Sequence, residues 1–158
     1  AECRHRAHPG WAIVDVRIFN YFSRTQDISA RYMIMDIMRA IRDGVLLQIS
    51  PGNVVRDFLH PVDFHGLIRA ILCSPAANAV VDCYSRAPID KLALLAAMHS
   101  RFGLGYEFAE MPAASSATGL KPCYYSLNRR AADFGYRPTL TSLETVLGEA
   151  EAMLQGSR

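Results

Sequence analysis

The apolar residues of this chain recur at two alternating spacings, one typical of strands and the other of helices. Residues 12–19 are rich in β-branched side chains and follow the breaker sequence His8-Pro9-Gly10, which predicts a buried strand. Within residues 30–42 apolar side chains return every three or four positions, which predicts an amphipathic helix. Ser29 is the expected N-cap of that helix and Gly44 its expected stop.

The alternation continues to the end of the chain and indicates an α/β fold. Further strands are predicted at residues 45–49, 54–59, 79–84 and 106–111. Helices are predicted to begin at Pro61, at about Asp90, at Asn128 and at the capping box of Thr141 and Glu144. The expected core faces of the longer helices are Phe64, Leu67, Ile68, Ile71 and Leu72, then Leu92, Leu95, Met98 and Phe102, then Leu143, Val146, Leu147, Ala150 and Leu154. The small, polar segment 112–122 is predicted to be a mobile, ligand-contacting loop.

Composition and charge narrow the classes of function. With 158 residues, 51% of them apolar, the chain can form one compact domain with its own core. The net charge is only +2 and the basic residues are scattered, so we expect a small anion as partner and no nucleic acid. No apolar run approaches the roughly 20 residues that span a bilayer, so no membrane segment is expected. The amino terminus lacks a signal-peptide core, and a start at Ala1 fits a fragment or processed chain.

The cysteines are widely spaced and form no C-x-x-C pair. Cys3, Cys73, Cys83 and Cys123 are therefore predicted to be reduced core thiols rather than a disulfide framework or a zinc site. Reduced thiols indicate a cytoplasmic protein.

Four segments, in order, carry a resemblance to a known family. Residues 16–20 end a strand in the pattern R-x-F-N, residues 55–60 read V-R-D-F-L-H, Asp63 opens the next helix, and residues 126–138 contain Asn128-Arg129 and end in G-Y-R-P. Together they resemble the extended short-chain dehydrogenase/reductase family, the NAD-dependent epimerases and dehydratases of nucleotide sugars. The match extends from about residue 14 to residue 154.

The resemblance implies roles for individual residues. Asn20 is expected to hold the diphosphate of a nucleotide-sugar substrate, and Arg56 to bind a substrate phosphate. Ile18 and Phe19 are expected beside the nicotinamide of NAD or NADP. Arg31, together with Arg24 and the amino end of the predicted helix near Ser29, could add positive potential to the site. The family's further phosphate-binding Arg has no counterpart in residues 112–122, where Lys121 is the one basic residue. Either Lys121 substitutes for that Arg or this contact to the nucleotide is absent.

The resemblance also implies that an upstream half is missing. The family needs a Gly-rich turn for the cofactor pyrophosphate and a Tyr-x-x-x-Lys helix for proton transfer, and this sequence contains neither. We therefore expect residues 1–158 to be a single partial domain, the carboxyl-terminal part of a Rossmann-like protein with its small substrate-binding subdomain, without a catalytic residue. Residues 1–6 resemble the tail of the missing helix, and the uncovered flank of strand 14–19 could drive homo-oligomerisation or association with the missing half.

Other interpretations stay open at this point. The chain could belong to a non-catalytic binding or regulatory protein built on the same scaffold. Arg56 and Asp57 could form a surface ion pair, and Asn20 could simply form a turn. The side chains of Asp57, His60, Asp63 and His65 are metal-ligand types, but a strand followed by a helix directs them differently, so we expect no metal site.

Overall fold

The computed structural model describes residues 2–109 and 121–156, which form an α/β fold of short strands and five α-helices. The strands are β1 (Val14–Ile18), β2 (Asn20–Tyr21), β3 (Leu47–Ile49), β4 (Val55–Arg56), β5 (Phe58–Leu59), β6 (Ala79–Cys83), β7 (Ile89–Asp90), β8 (Tyr106–Phe108) and β9 (Cys123–Tyr124). The helices are α1 (Glu2–Ala7), α2 (Met33–Asp43), α3 (Pro61–Cys73), α4 (Lys91–Phe102) and α5 (Ser142–Gly156), with a 3-10 helix at Arg130–Phe134. No helix in these ranges is long and apolar enough to cross a membrane.

The strands pair mainly in parallel, as helical crossovers require. The longest pair is β1 with β6, in a register that sets Val14 opposite Ala79 and Ile18 opposite Cys83. Two more parallel pairs join β2 to β5 and β3 to β8. β4 lies between β7, which is antiparallel to it, and β9, which is parallel to it. The predicted α/β class is therefore confirmed.

The larger of two apolar cores lies among α2, α4 and α5. Met35, Ile37 and Met38 of α2 are fully buried there, as are Leu94 and Leu95 of α4. The smaller core lies between the β1–β6 pair, α3 and the 3-10 helix, and its buried members are Leu59, Leu67, Val81, Cys83, Tyr84, Ala131 and Tyr136. β5 and the residues after β6 border both cores, since Phe58 and Ile89 belong to the larger and Leu59 and Tyr84 to the smaller. The two cores therefore meet next to Asp57, which directly precedes β5.

Most predicted helix ends are confirmed, but two starts are wrong, one of them being the helix predicted from Asn128, which is a 3-10 helix that begins at Arg130. Gly44 ends α2 in the left-handed conformation at φ 65°, and Asp90 caps α4 by accepting a hydrogen bond from the Ala93 amide at 3.0 Å. The start of α2 was predicted wrongly. The helix begins at Met33 after Tyr32, and Ser29 instead donates its hydroxyl to Asp27 at 2.7 Å, because an Asx-type turn satisfies it locally.

Some predicted core positions are solvent exposed. Leu72 is 79% exposed and Leu92 is 41% exposed, whereas Leu94, which the spacing did not select, is fully buried. All four cysteines are free, but only Cys83 is in the core, and Cys3, Cys73 and Cys123 are exposed. An apolar run is compatible with more than one helix orientation, and tertiary packing selects the face that is buried.

The predicted strand at 54–59 is divided in two by Asp57. The carboxylate of Asp57 is buried and accepts hydrogen bonds from the Ser85 amide at 3.2 Å and from the Ser142 hydroxyl at 3.1 Å. The Ser142 hydroxyl in turn accepts the Phe58 amide at 2.8 Å. This network, which we call the Asp57 clamp, ties the β4–β5 junction to the end of β6 and to the first residue of α5.

A second buried carboxylate, that of Glu149, fixes the middle of α5. Glu149 is 2% exposed and accepts hydrogen bonds from the Arg24 guanidinium at 2.7 Å and from His60 at 3.0 Å. The hydrogen bond from Arg24, chiefly, holds the pKa of Glu149 at about 2 against an ordinary value of 4.5. The carboxylate is therefore charged in the native state throughout the neutral and mildly acidic range.

Replacing Asp57 by alanine should destabilise the fold. The buried amide of Ser85 and the hydroxyl of Ser142 would lose their acceptor, and we expect the free energy of unfolding in urea to fall by about 2–3 kcal/mol. The matched control is Asp133→Ala on the exposed surface of the 3-10 helix, which should change it by less than about 0.5 kcal/mol. Equal effects of the two substitutions would contradict a clamp at Asp57.

The Glu149 interaction should appear in the acid unfolding profile. A carboxylate with a lowered native pKa stabilises the fold fully above its unfolded pKa near 4.5, and this stabilisation is lost as the pH falls towards 2. We expect Glu149→Gln to lower the free energy of unfolding by about 2 kcal/mol at pH 7 and the difference from wild type to shrink below pH 4.5. Glu151→Gln, which removes an exposed pair with Arg101, is the control and should have little effect.

Candidate anion-binding site

Two breaks in neighbouring strands lie side by side. β1 ends at Ile18, Phe19 interrupts the ladder, and β2 begins at Asn20; likewise Asp57 separates β4 from β5. The parallel register sets Asn20 opposite Phe58. The Asn20 side-chain amide donates to the Asp57 carbonyl at 3.1 Å, so Asn20 lies in a strand rather than in a turn. Asn20 and Arg56 are thus carried by adjoining segments, and their joint action on one anion stays a prediction.

Arg56 is a half-buried cation that forms no ion pair with a carboxylate of the described part of the chain. Its Nη1 donates to the carbonyls of Val55 at 2.8 Å and Lys121 at 2.9 Å. Burial lowers the pKa of the guanidinium. The ion pair with Asp57 that the sequence left open is not formed, because the Asp57 carboxylate is occupied by Ser85 and Ser142. Among the described residues, Nη2 and Nε of Arg56 make no hydrogen bond and can serve another acceptor.

The ring of Tyr124 joins the candidate residues. Tyr124 lies opposite Arg56 in the β4–β9 register. The Lys121 ammonium lies 5.1 Å from the centroid of the ring, the Arg56 guanidinium carbon 6.0 Å from it, and the Phe19 ring 5.1 Å from it in an edge-on arrangement. Within residues 2–109 and 121–156, neither Arg56 nor Lys121 makes an ion pair. We call Phe19, Arg56, Lys121 and Tyr124 the Tyr124 cluster.

Sequence reasoning selected three of these four residues and missed Tyr124. Its pairing with Arg56 depends on β9, a two-residue strand next to the segment 110–120, and no periodic pattern marks so short an element. The predicted mobile loop at 112–122 lies outside the described residues except for Lys121 and Pro122.

The other residues that the sequence suggested for the site lie outside the Tyr124 cluster. Ile18 is 38% exposed at the end of β1, adjacent to Phe19. Arg31 is exposed and lies two positions before Met33, the first residue of α2, so its role stays a prediction. Arg24 was expected to add positive potential to the site, but its charge is neutralised by Glu149. The helix amino end at Ser29, expected to face an anion, is also wrong, since α2 begins at Met33.

Three of the four side chains considered as metal ligands, those of Asp57, His60 and Asp63, bind different parts of the fold, and His65 is exposed. Asp63 is buried and accepts hydrogen bonds from the Thr139 amide at 2.8 Å and the Leu140 amide at 3.1 Å. His60 donates to Glu149 and caps α3 through the Val62 amide at 3.1 Å. In the part of the chain that the structure describes, no group of three or more His, Cys, Asp or Glu side chains could hold a metal ion.

Strand β1 has an unpaired edge among the described residues, because β6 is its one partner there. Beside it, a groove of about 490 Å³ lies between β1 and α3. Its apolar lining includes Val14, Val16, Ile68, Ile71 and Leu72. Trp11, just before the strand, is 55% exposed. An open parallel edge next to an apolar groove is typical of a sheet that continues in another segment or chain.

Comparison with known proteins gives structural matches alone. No family model matches the sequence, and no curated protein matches it. The chain superposes on UDP-glucuronic acid 4-epimerase from Bacillus cereus, solved with UDP-glucuronic acid and NAD, with a TM-score of 0.77 at 16% identity over 98% of this chain and 49% of that one.

Two further solved structures match in the same way. dTDP-glucose 4,6-dehydratase from Bacillus anthracis, in complex with NAD, gives a TM-score of 0.76 at 15% identity over 94% of this chain and 46% of that one. RMD from Pseudomonas aeruginosa, complexed with NADPH, gives a TM-score of 0.70 at 22% identity over 94% of this chain and 51% of that one. The chain thus spans about half the length of the proteins that it matches.

These matches agree with the order of the sequence motifs and cover nearly the whole chain. At such low identity the similarity shows the fold and does not assign an activity. The fold of this chain is that of the carboxyl-terminal half of the Rossmann-like enzymes of the extended short-chain dehydrogenase/reductase type.

Proposed function

We propose that this chain is the substrate-binding portion of an NAD(P)-dependent epimerase or dehydratase of nucleotide sugars. The observation that carries the proposal is the Tyr124 cluster, in which Arg56 and Lys121 face one ring and form no ion pair with any carboxylate of residues 2–109 and 121–156. Two like charges beside one ring, one of them half-buried, are stabilised when an anion joins them. The fold is shared with proteins whose structures contain UDP-sugars, which favours a nucleoside diphosphate as that anion.

In this proposal, Arg56 binds the diphosphate directly. A guanidinium forms bidentate, charge-assisted hydrogen bonds with phosphate oxygens, and the unused Nη2 and Nε of Arg56 suit that geometry. Lys121 supplies a second positive charge. The Asn20 side-chain amide donates one N–H to the Asp57 carbonyl, and its second N–H could donate to a phosphate oxygen. Arg31 would act at longer range, through its charge.

The cofactor would approach the carboxyl end of β1. The exposed Ile18 and the ring of Phe19 offer an apolar surface to a nicotinamide, whereas the sequence has no Gly-rich turn for the pyrophosphate. The residues of this chain therefore fit one end of NAD or NADP and would not bind it tightly alone. When bound, such a cofactor oxidises the sugar transiently and makes its neighbouring carbon reactive. This chain would hold the nucleotide so that the sugar is correctly placed.

The remainder of the cofactor site would come from an amino-terminal Rossmann half. The unpaired edge of β1 and the groove lined by Val14, Val16 and Ile68 suit pairing with a further parallel strand. In the absence of that half the same surface would favour a homo-oligomer. We place the protein in the cytoplasm, where free thiols such as exposed Cys3 and Cys73 stay reduced.

The full-length protein should bind a nucleotide sugar and reduce its cofactor. We expect one member of a panel of UDP-, dTDP-, GDP- and CDP-sugars to bind in calorimetric titration and to generate NADH absorbance at 340 nm when NAD is present. Binding without any reduction would favour a non-catalytic protein on the same scaffold. No binding and no reduction with any of the panel would contradict the proposal.

Arg56→Gln tests the proposed phosphate contact. Loss of charge-assisted hydrogen bonds should weaken UDP binding by about 10- to 100-fold. Arg137→Gln is the matched control, because the Arg137 Nη1 also donates to a backbone carbonyl, that of Tyr136, at 2.9 Å, but away from the Tyr124 cluster. The two dissociation constants, measured by calorimetry in the same buffer, should differ, and equal values would exclude Arg56 from the nucleotide site.

A further inference from the structure

The side chain of Tyr124 contacts residues that are distant from it in the sequence as well as residues near it. It is half-buried, and it faces two cations and one aromatic ring from three different segments, which are β4, the residue before Pro122 and the β1–β2 junction. Its hydroxyl makes no hydrogen bond with the described residues. The ring itself, rather than the hydroxyl, therefore provides the contacts.

Arg56 and Lys121 carry like charges beside one ring, which repel one another, and Arg56 also loses water because it is half-buried. The face of an aromatic ring carries negative potential and attracts ammonium and guanidinium groups within about 6 Å of its centroid. The Lys121 ammonium at 5.1 Å and the Arg56 guanidinium carbon at 6.0 Å fall within that range. A carboxylate in this place would also hold the cations, but it would compete with an anionic ligand for them.

The backbone makes this arrangement specific. The Arg56 Nη1 donates to the carbonyl of Lys121, so the guanidinium is tethered to the same segment that carries the ammonium. The β4–β9 register fixes Tyr124 opposite Arg56. Phe19, which directly precedes Asn20, packs edge-on against the ring. Tyr124 thus contacts the three segments that carry Phe19, Arg56 and Lys121.

We propose that Tyr124 is a positioning residue whose ring preorganises Arg56 and Lys121 to receive the diphosphate of the substrate. The inference rests on the proposed function and adds a residue that acts through two others. Preorganised cations bind an anion more tightly because less conformational freedom is lost on binding. The ring supplies this order while leaving the positive charge of both side chains available.

The role predicts a dependence on the electron density of the ring. Tyr124→Phe keeps the ring and should retain the affinity for UDP within about twofold, whereas Tyr124→Leu should weaken it by about 3- to 30-fold. Replacing Tyr124 with 3,4,5-trifluorophenylalanine keeps the ring and its shape but removes the negative potential of its face, so it should weaken binding relative to phenylalanine. Inorganic pyrophosphate should show the same order, because it reports on the cations without a nucleoside.

The experiment is calorimetric titration of the full-length protein with UDP and with inorganic pyrophosphate, together with thermal unfolding of every variant. Tyr106→Leu is the control, since Tyr106 also contacts an aromatic ring, that of Phe108, at 5.8 Å in another sheet. It should leave both affinities unchanged. A wild-type protein that binds neither ligand overturns the proposed function and this inference with it.

Other outcomes separate the two proposals. If wild type binds UDP and Arg56→Gln does not, but the leucine and trifluorinated variants bind as tightly as wild type, the phosphate site stands and the role of Tyr124 is overturned. If the leucine variant fails to fold, the comparison of phenylalanine with its trifluorinated analogue decides. Equal affinities in that pair overturn the inference, and a weaker affinity of the fluorinated protein supports it.

Discussion

The buried carboxylate of Asp57 is the constraint on which the arrangement of the chain depends. It lies at the break between β4 and β5, and its oxygens bind the amide of Ser85 and the hydroxyl of Ser142, which are 28 and 85 residues further along the chain. A buried charge is tolerated only when its acceptor sites are filled. Ser85 and Ser142 are therefore fixed relative to β4 and β5, and with them the end of β6 and the start of α5. The same residue offers its carbonyl to Asn20, so the clamp also sets the distance between β2 and Arg56.

Other buried acids have the same structural role elsewhere. Asp63 binds the segment at Thr139 and Leu140, Asp82 is held by Arg17 at 2.6 Å and by Ser126, and Glu149 binds Arg24 and His60. Each connects segments that are far apart in sequence. Sheets of two or three short strands provide few ladder hydrogen bonds, so such clamps carry much of the long-range order. Arg56 and Lys121 differ from the partners of these acids, because among the described residues they lie beside a ring and not beside an acid, as Arg129 does over the ring of Tyr84.

The sequence predicted the parts that depend on local chemistry. Gly44, Asp90 and the Thr141–Glu144 capping box mark helix ends through their own hydrogen bonds and backbone preferences, so their roles could be read directly. Ser29 misled the prediction because a side chain that can cap a helix can equally satisfy a turn, here with Asp27. Leu72 and Leu92 misled it because an apolar spacing does not say which side of a helix meets the core. Tyr124 could not have been found, since its significance arises from a two-residue ladder with β4.

The family resemblance predicted where segments of the fold lie better than it predicted what each side chain in them does. The motif at residues 55–60 combines a residue that builds the fold, Asp57, with one that is left available, Arg56. Alternation along a strand explains this division, because neighbouring side chains point to opposite faces and one of them must be buried. The buried partner serves the clamp, and the other reaches the edge at which β1, β4 and β9 end. A scaffold can therefore keep the Asp57 clamp and its shape while the residues around Tyr124 change, and it is this second set of residues that would decide which anion is bound.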